Sequence, residues 1–454
     1  MEPDSTISRR DLLRLTAAAA VPAALAGCRA QADRDATVSA RAWHAPVTRR
    51  GPIRVGLVGC GGRGTGAARQ ALAADSGAVL VAAGDYFPDR VDACIDRLTA
   101  ALGDAAPARI DVPPSRRFAG LDAYRGVLSA GVDVVLLATP PGFRPAHVEA
   151  AVEAGANIFC EKPVAVDAPG VRRVMAACEQ ARARGLSVVS GFCWRYAEAE
   201  REIFARINGG AIGEIVTVHT TYHTGTLSPR PRRPEWSDLE WQLQNWWHFA
   251  WLSGDHIVEQ AVHSIDRLAW ATGDRTPSRC VALGGRAART GPESGHVYDH
   301  FAVVYEYDGE DGRSQPIRCF HTCRQIDRCP HDNTDYVYGT EGSATVNGWV
   351  PTHVIRDLRG RERWRYTGPR GDMYQNEQDA LFRAVRTGRP INDGPQMCRS
   401  TLMAIMGRMA AYTGQTVTWE QAMDSAEELM PADLSPGGPL EVPPVAVPGR
   451  TRLL

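Results

Sequence analysis

Residues 53–64 read Ile53-Arg54-Val55-Gly56-Leu57-Val58-Gly59-Cys60-Gly61-Gly62-Arg63-Gly64, a short apolar run leading directly into G-x-G-x-x-G. The run predicts a buried strand over 53–59, then a Gly-rich turn and a helical stretch through Arg69 to Ala74. A second strand, Val79 to Ala83, ends at Gly84-Asp85, which puts an acid about twenty residues beyond the glycines. A lone G-x-G-x-x-G says little. Between a strand and a helix, and followed by that acid, it is the setting a dinucleotide pyrophosphate requires. Gly59 permits the tight turn, Gly61 lets phosphate approach the backbone, and Gly64 lets helix and strand pack. Gly62 and Arg63 complete the turn, and the helix N-terminus supplies N–H groups and a positive dipole. Asp85 can accept hydrogen bonds from a ribose 2′-OH and would repel a 2′-phosphate, so the expected cofactor is NAD rather than NADP.

Outward from this turn, strands and helices alternate. Asp89–Leu102 reads as helix, Val132–Ala138 as strand, Arg144–Ala154 as helix, Asn157–Cys160 as strand and Pro169–Arg184 as helix. That pattern predicts an α/β class, with a doubly wound parallel sheet over 52–186. Beyond Ser187 the texture changes. Strands are expected at 215–223, 279–287, 300–307, 316–323 and 335–346, with a Pro- and Trp-rich stretch at 229–252 and a strong helix around 255–271. Strands without intervening helices predict an α+β domain over 187–430 with a large, open, mainly antiparallel sheet. Helices near 372–412 are expected to pack back toward the first domain, and 431–454 to run as an extended Pro-rich tail.

The chain has 454 residues, too many for one ordinary core. Apolar residues make up 44% and the net charge is -1, which gives no basic field for nucleic acid. Eleven tryptophans against ten phenylalanines suit flat, hydroxylated rings, since indole offers an apolar face and one donor. At the N-terminus, Arg9-Arg10 precede a short Ala/Leu/Val run that ends at Leu25-Ala26-Gly27-Cys28. This order predicts a twin-arginine export signal over 1–28 ending in a lipoprotein box, then a flexible tether over 29–51. A lipidated Cys28 would tether a periplasmic protein to the membrane. Cys319, His321, Cys323, Cys329 and His331 lack the spacing of a zinc ribbon or finger and equally suit a half-buried strand, so no metal is assigned.

Glu161-Lys162-Pro163 follows a strand at the carboxyl end of the sheet, where such folds place ligands. Glu259 and His263 lie four apart in the expected helix and hence on one face. Oxidising an alcohol needs a base for the hydroxyl proton, and histidine titrates in a useful range.

Taken in order, the Gly-rich turn, Ala138-Thr139-Pro140-Pro141, His147, Glu161-Lys162-Pro163 and His263-Ser264-Ile265-Asp266 resemble the glucose–fructose oxidoreductase, inositol dehydrogenase and rhizopine-catabolism (Gfo/Idh/MocA) family over about residues 52 to 425. The resemblance implies that Thr139, Pro140, His147 and Glu161 lie along the cofactor, that Lys162 and His263 flank the reacting hydroxyl, and that the open sheet serves a homo-oligomer. It implies a substrate pocket drawing on Trp194-Arg195-Tyr196, Trp246-Trp247-His248 and Arg324-Gln325. Two departures stand out. The family's aspartate four residues before the histidine is Glu259, one methylene longer, and its Gly-Gly is Gly254-Asp255-His256. The segment 254–270 is similar to an exported branch and to NAD-dependent glycoside hydrolases. The expected function is NAD-dependent oxidation or reduction at a secondary hydroxyl of a sugar, glycoside or cyclitol, with a tightly bound, recycled cofactor. Redox-neutral glycoside hydrolysis is the enzymatic alternative, and a non-catalytic carbohydrate-binding lipoprotein is the alternative from another class.

Overall fold

All residues of β1 (Ile53–Val58) but Arg54 are buried, because helices cover both faces of its sheet. In the computed structural model, which describes residues 48–309, 316–350 and 352–454, this strand lies inside a six-stranded sheet. The chain continues through α1 (Gly62–Ala74), β2 (Ala78–Asp85), α2 (Pro88–Leu102), β3 (Arg117–Ala119) and α3 (Ala123–Ser129). It then forms β4 (Val134–Leu137), α4 (Arg144–Glu153), β5 (Asn157–Cys160), α5 (Ala168–Ala183) and β6 (Val188–Ser190). The strand order is β3-β2-β1-β4-β5-β6 and every pairing is parallel. Winding reverses between β1 and β4, so a crevice opens beyond their carboxyl ends. Val134, Val135, Leu136 and Leu137 are wholly buried, each side chain contributing about 1.5–3 kcal/mol of apolar burial. The signal and most of the tether expected at the N-terminus lie outside the described residues.

The second half adds α6 (Glu198–Asn208), β7 (Ile215–Thr224), α7 (Asp238–Gln244), α8 (His256–Glu259) and α9 (Val262–Ala271). Next come β8 (Arg279–Gly285), β9 (His300–Tyr307), β10 (Ile317–Gln325), β11 (Thr334–Gly339) and β12 (Gly342–Asn347). It ends with β13 (Val354–Asp357), β14 (Glu362–Arg365), α10 (Met373–Thr387), α11 (Gly394–Thr413) and β15 (Val417–Thr418). Nine strands form one sheet in the order β14-β13-β12-β11-β7-β10-β9-β8-β15. β7 and β10 pair in parallel and the other described neighbours are antiparallel. Cys319, His321 and Cys323 alternate onto the buried face. Val281, Leu283, Phe320 and Tyr338 stay exposed, and the pairing register sets the first three on the opposite, open face.

Three sequence expectations are corrected. The strand expected over 335–346 is a hairpin, β11 and β12, turning at Thr340-Glu341. Its flanking glycines are needed: a Cβ on Gly339 would lie 2.2 Å from the Ile212 carbonyl oxygen. The helix expected around 255–271 breaks into α8 and α9. Gln260 departs from helical geometry (φ -116°), and Ala261 N–H reaches back five residues to His256. The tail is docked rather than merely extended: Leu440 is buried, its carbonyl accepts from Gln242 at 2.8 Å, and the Tyr298 hydroxyl donates to Ala446 O at 2.8 Å. Leu381 and Phe382 of α10 share a core with Ala67 and Ala71 of α1.

Candidate active site

A cleft of about 190 Å³ lies beyond the carboxyl ends of β1, β2 and β4. Gly59 turns the chain at φ +96°, and a Cβ on Gly64 would sit 1.8 Å from the Gly59 carbonyl oxygen. Only glycine permits that close packing. Cβ atoms on Gly61 and Gly62 would meet nothing within 4 Å, so the backbone at the N-terminus of α1 faces open space. Asp85 is buried and held in place: its carboxylate accepts from Cys60 N–H at 2.7 Å and Phe87 N–H at 3.1 Å. Burial pushes its carboxyl up, against the Phe87 donor and the Arg90 guanidinium 4.0 Å away. These features fit NAD. The α1 N-terminus would take the pyrophosphate and Asp85 the ribose hydroxyls.

Thr139 and Pro140 form one wall. Thr139 Oγ1 is 3.1 Å from Nδ1 of His147, whose ring packs between Tyr124 and Phe143. Burial, then Arg144 and Arg125, hold His147 down at about 3, so it is neutral and supports the wall. An apolar cap covers the Asp85 end. Tyr86, Phe87, Leu121, Phe143 and Trp246 pack with Leu243 and Trp241; Leu429 and Met430 join them, and the tail adds Leu434 and Leu440.

At the other end, Arg63 binds Glu161, and its second arm reaches Glu377 of α10 at 2.9 Å. Glu161 also accepts from Lys162 N–H at 3.2 Å. The Lys162 ammonium donates to the Glu259 carbonyl oxygen at 2.5 Å and lies 3.7 Å from its carboxylate. His263 sits edge-on to Trp194, ring centroids 4.4 Å apart, and beside Phe192. Burial lowers its pKa well below the ordinary range, with Lys162, Arg267 and Arg63 adding to the effect. His263 is therefore neutral at physiological pH, rather than titrating there as the sequence argument expected. Its Nδ1 has no hydrogen-bond partner among the described residues.

Lys162, Glu259 and His263 thus converge, although Glu259 does so from a separate helical turn. Most of the residues expected at the substrate are elsewhere. Arg195 is buried in ion pairs with Asp266 at 2.9 Å and Asp274 at 2.7 Å. The Tyr196 hydroxyl donates to Asp393 at 2.6 Å. Trp246 lines the dinucleotide cleft, Trp247 packs edge-on against it, and His248 is buried. Arg324 follows Thr322 on the open face of the sheet and donates to Pro330 O at 2.6 Å. Its neighbour Gln325 points inward and binds Gln260 at 2.6 Å. Glu377, Tyr374 and Gln260 were missed. Only the Glu377 carboxyl in an otherwise amphipathic helix hinted at an unusual environment.

Residues 53–190 match the NAD-binding Rossmann domain of the Gfo/Idh/MocA oxidoreductases, and 201–345 match a C-terminal domain of the same family. The chain belongs to the Gfo/Idh/MocA oxidoreductases. It is 30% identical over 272 residues to inositol 2-dehydrogenase 3 of Saccharopolyspora erythraea, covering 60% of this chain and 68% of that relative. It is 28% identical over 241 residues to inositol 2-dehydrogenase of Acidothermus cellulolyticus, covering 53% of this chain and 60% of that one. The fold matches levoglucosan dehydrogenase in complex with NADH and levoglucosan (TM-score 0.62, 19% identity, 81% of this chain and 99% of that one). It also matches the aldose-aldose oxidoreductase of Caulobacter crescentus (TM-score 0.62, 19% identity, 81% and 99%). This member of the oxidoreductase family therefore carries an NAD-binding domain joined to a mainly antiparallel sheet.

Proposed function

We propose that this protein oxidises or reduces a secondary hydroxyl of a sugar, glycoside or cyclitol, using NAD that stays bound and is recycled in place. The observation that carries this reading is the convergence of Lys162, Glu259 and His263 at the carboxyl end of β5. NAD, when bound, supplies the hydride acceptor. The Lys162 ammonium would donate to the substrate oxygen and stabilise developing alkoxide charge. Neutral His263, with Nδ1 unengaged, would accept the hydroxyl proton. Glu259 holds the ammonium in position through its carbonyl and carboxylate. The relatives named as acting on inositol and levoglucosan support a polyhydroxylated substrate.

Cofactor retention is supported by the apolar cap, which combines the Trp-rich segment with the tail over the Asp85 end. Retention suits a protein exported by the twin-arginine route and tethered through Cys28, because no free NAD pool is expected outside the inner membrane to replace spent cofactor. It suits equally the redox-neutral cleavage of a glycoside. The open sheet face is proposed to pair copies of the chain. The deciding experiment is mass spectrometry of the gel-filtered protein for nucleotide, followed by a screen of cyclitols, monosaccharides and glycosides. NAD or NADH near one per chain, with sugar turnover that releases no net NADH, is expected. Protein that needs millimolar NAD and releases NADH over many turnovers would refute recycling.

A further inference from the structure

A second cleft, of about 250 Å³, adjoins the reaction centre and is not explained by the dinucleotide. It shares Trp194 with the His263 environment and Tyr374 with the Arg63 environment. Trp194 is fixed there. Its indole N–H donates to Gly348 O at 3.1 Å, and the Arg267 guanidinium lies 4.8 Å over its ring. Phe320 and Tyr338, two of the most exposed aromatic side chains, belong to the nine-stranded sheet. The other two, Trp349 (44% exposed) and Tyr374 (37%), both line this cleft. Trp349 also touches Tyr222 at 5.5 Å, and Tyr222 in turn feels the charge of Glu259. Arg63 covers one face of Tyr374, and Tyr222 and His331 pack edge-on against Trp349, which leaves part of each ring turned to the cleft.

The polar lining has a matching character. The exposed Glu198 carboxylate lies at the rim. His353, 2% exposed, forms part of the wall; its Nε2 lies 3.3 Å from Glu200, but neither Nε2 nor Nδ1 has a hydrogen-bond partner among the described residues. Aromatic faces beside acceptors and a buried imidazole with unengaged nitrogens suit a ring with apolar C–H faces and hydroxyl edges.

We propose that this cleft is a subsite for a second sugar ring, so that the natural substrate is a disaccharide or longer glycoside rather than a free monosaccharide. The inference rests on the oxidoreductase reading only in placing the reacting ring at Lys162 and His263. Stacking on Trp349 and hydrogen bonds to Glu198 would hold the ring beyond the glycosidic oxygen.

Calorimetric titration of the NAD-loaded full chain tests this without requiring turnover. The probes are the gluco-disaccharides maltose and cellobiose, each set against methyl glucoside of the same anomeric form. At least one disaccharide is expected to bind about tenfold or more tightly than its methyl glycoside. Trp349→Ala and Glu198→Gln should each shrink that ratio several-fold, and where turnover is measurable the kcat/KM ratio should fall in parallel. Equal affinity of disaccharide and methyl glycoside, or a ratio unchanged in both variants, would overturn the proposal. A ratio that falls in Trp349→Ala alone, with aryl glucosides bound as well as disaccharides, would overturn the second sugar in favour of a plain aromatic aglycone. Disaccharide binding without nicotinamide redox chemistry would sink the oxidoreductase reading and leave the subsite standing.

Discussion

At the residue scale, what was legible was chemistry encoded in adjacent residues. Gly59, Gly61, Gly64 and Asp85 could be read because a phosphate turn and its acid occupy consecutive elements. Arg195 and Tyr196 could not, because Asp266, Asp274 and Asp393, which bind them, lie about seventy to two hundred residues away. Lys162→Ala and His263→Ala should each lower turnover about 10²–10⁴-fold with NAD retention nearly unchanged; near-wild-type rates would remove the assigned role. Arg90 already lies 4.0 Å from Asp85. Asp85→Ser alone should therefore shift the NADP-to-NAD affinity ratio upward by about tenfold or more, measured by competition binding. His321 offers a pH test. Burial holds its pKa at about 3, while the unfolded value is near 6.5. The unfolded state binds the proton first, so stability from this site falls as pH drops through the unfolded pKa and levels out only near the folded one. Relative to His321→Asn, wild-type unfolding free energy should decline by about 1.4 kcal/mol per pH unit between pH 6 and 4. Parallel urea-melt profiles for the two proteins would contradict that.

At the element scale, the alternating first half was readable because parallel strands buried on both faces are continuous apolar runs. The second half was less so. The helix breaks at Gln260, whose side chain accepts from Gln325 on a distant strand. β13 and β14 carry Arg356, Arg363 and Arg365, whose polarity hides an edge hairpin. The tail looks like a linker in composition, yet Leu440 docks on the Trp-rich segment and helps close the cap. Its role in retention can be measured directly. Trp246 lines the cleft, and truncating it opens the adenosine end. Trp246→Ala should raise the NAD dissociation rate about tenfold to a hundredfold, the equivalent of roughly 1.4–2.8 kcal/mol of lost contact. The Leu440→Asp variant, which reaches the cleft only through the cap, should move in the same direction. Nucleotide content after gel filtration equal to wild type in both variants would take the cap out of the retention argument.

At the scale of the whole molecule, the nine-stranded sheet buries one face and leaves the other bare. Across the open face, the register aligns Val281 with Val304, Val304 with Phe320, Phe320 with His219, and His219 with Tyr336, a single row over five strands. Leu283, 78% exposed, pairs with Ala302 in the next row. A largely apolar band of this kind, interrupted only by His219, suits the proposed association surface. The sheet edges are poor ones for pairing: β15 is two residues long, and β14 carries Glu362, Arg363 and Arg365. The proposed pairing of copies would therefore run face to face, and two copies of one surface meeting about a two-fold axis would give a closed assembly. Light scattering on size-exclusion fractions should show wild-type protein at twice the chain mass or a multiple of that. Phe320→Glu combined with Leu283→Glu sets like-sign charges against each other across the axis and should give single chains. Neither residue lines the dinucleotide cleft, so nucleotide content per chain should stay the same. Wild-type protein running as one chain would end the face-to-face pairing, and a double variant that keeps the wild-type mass would move the contact to another surface.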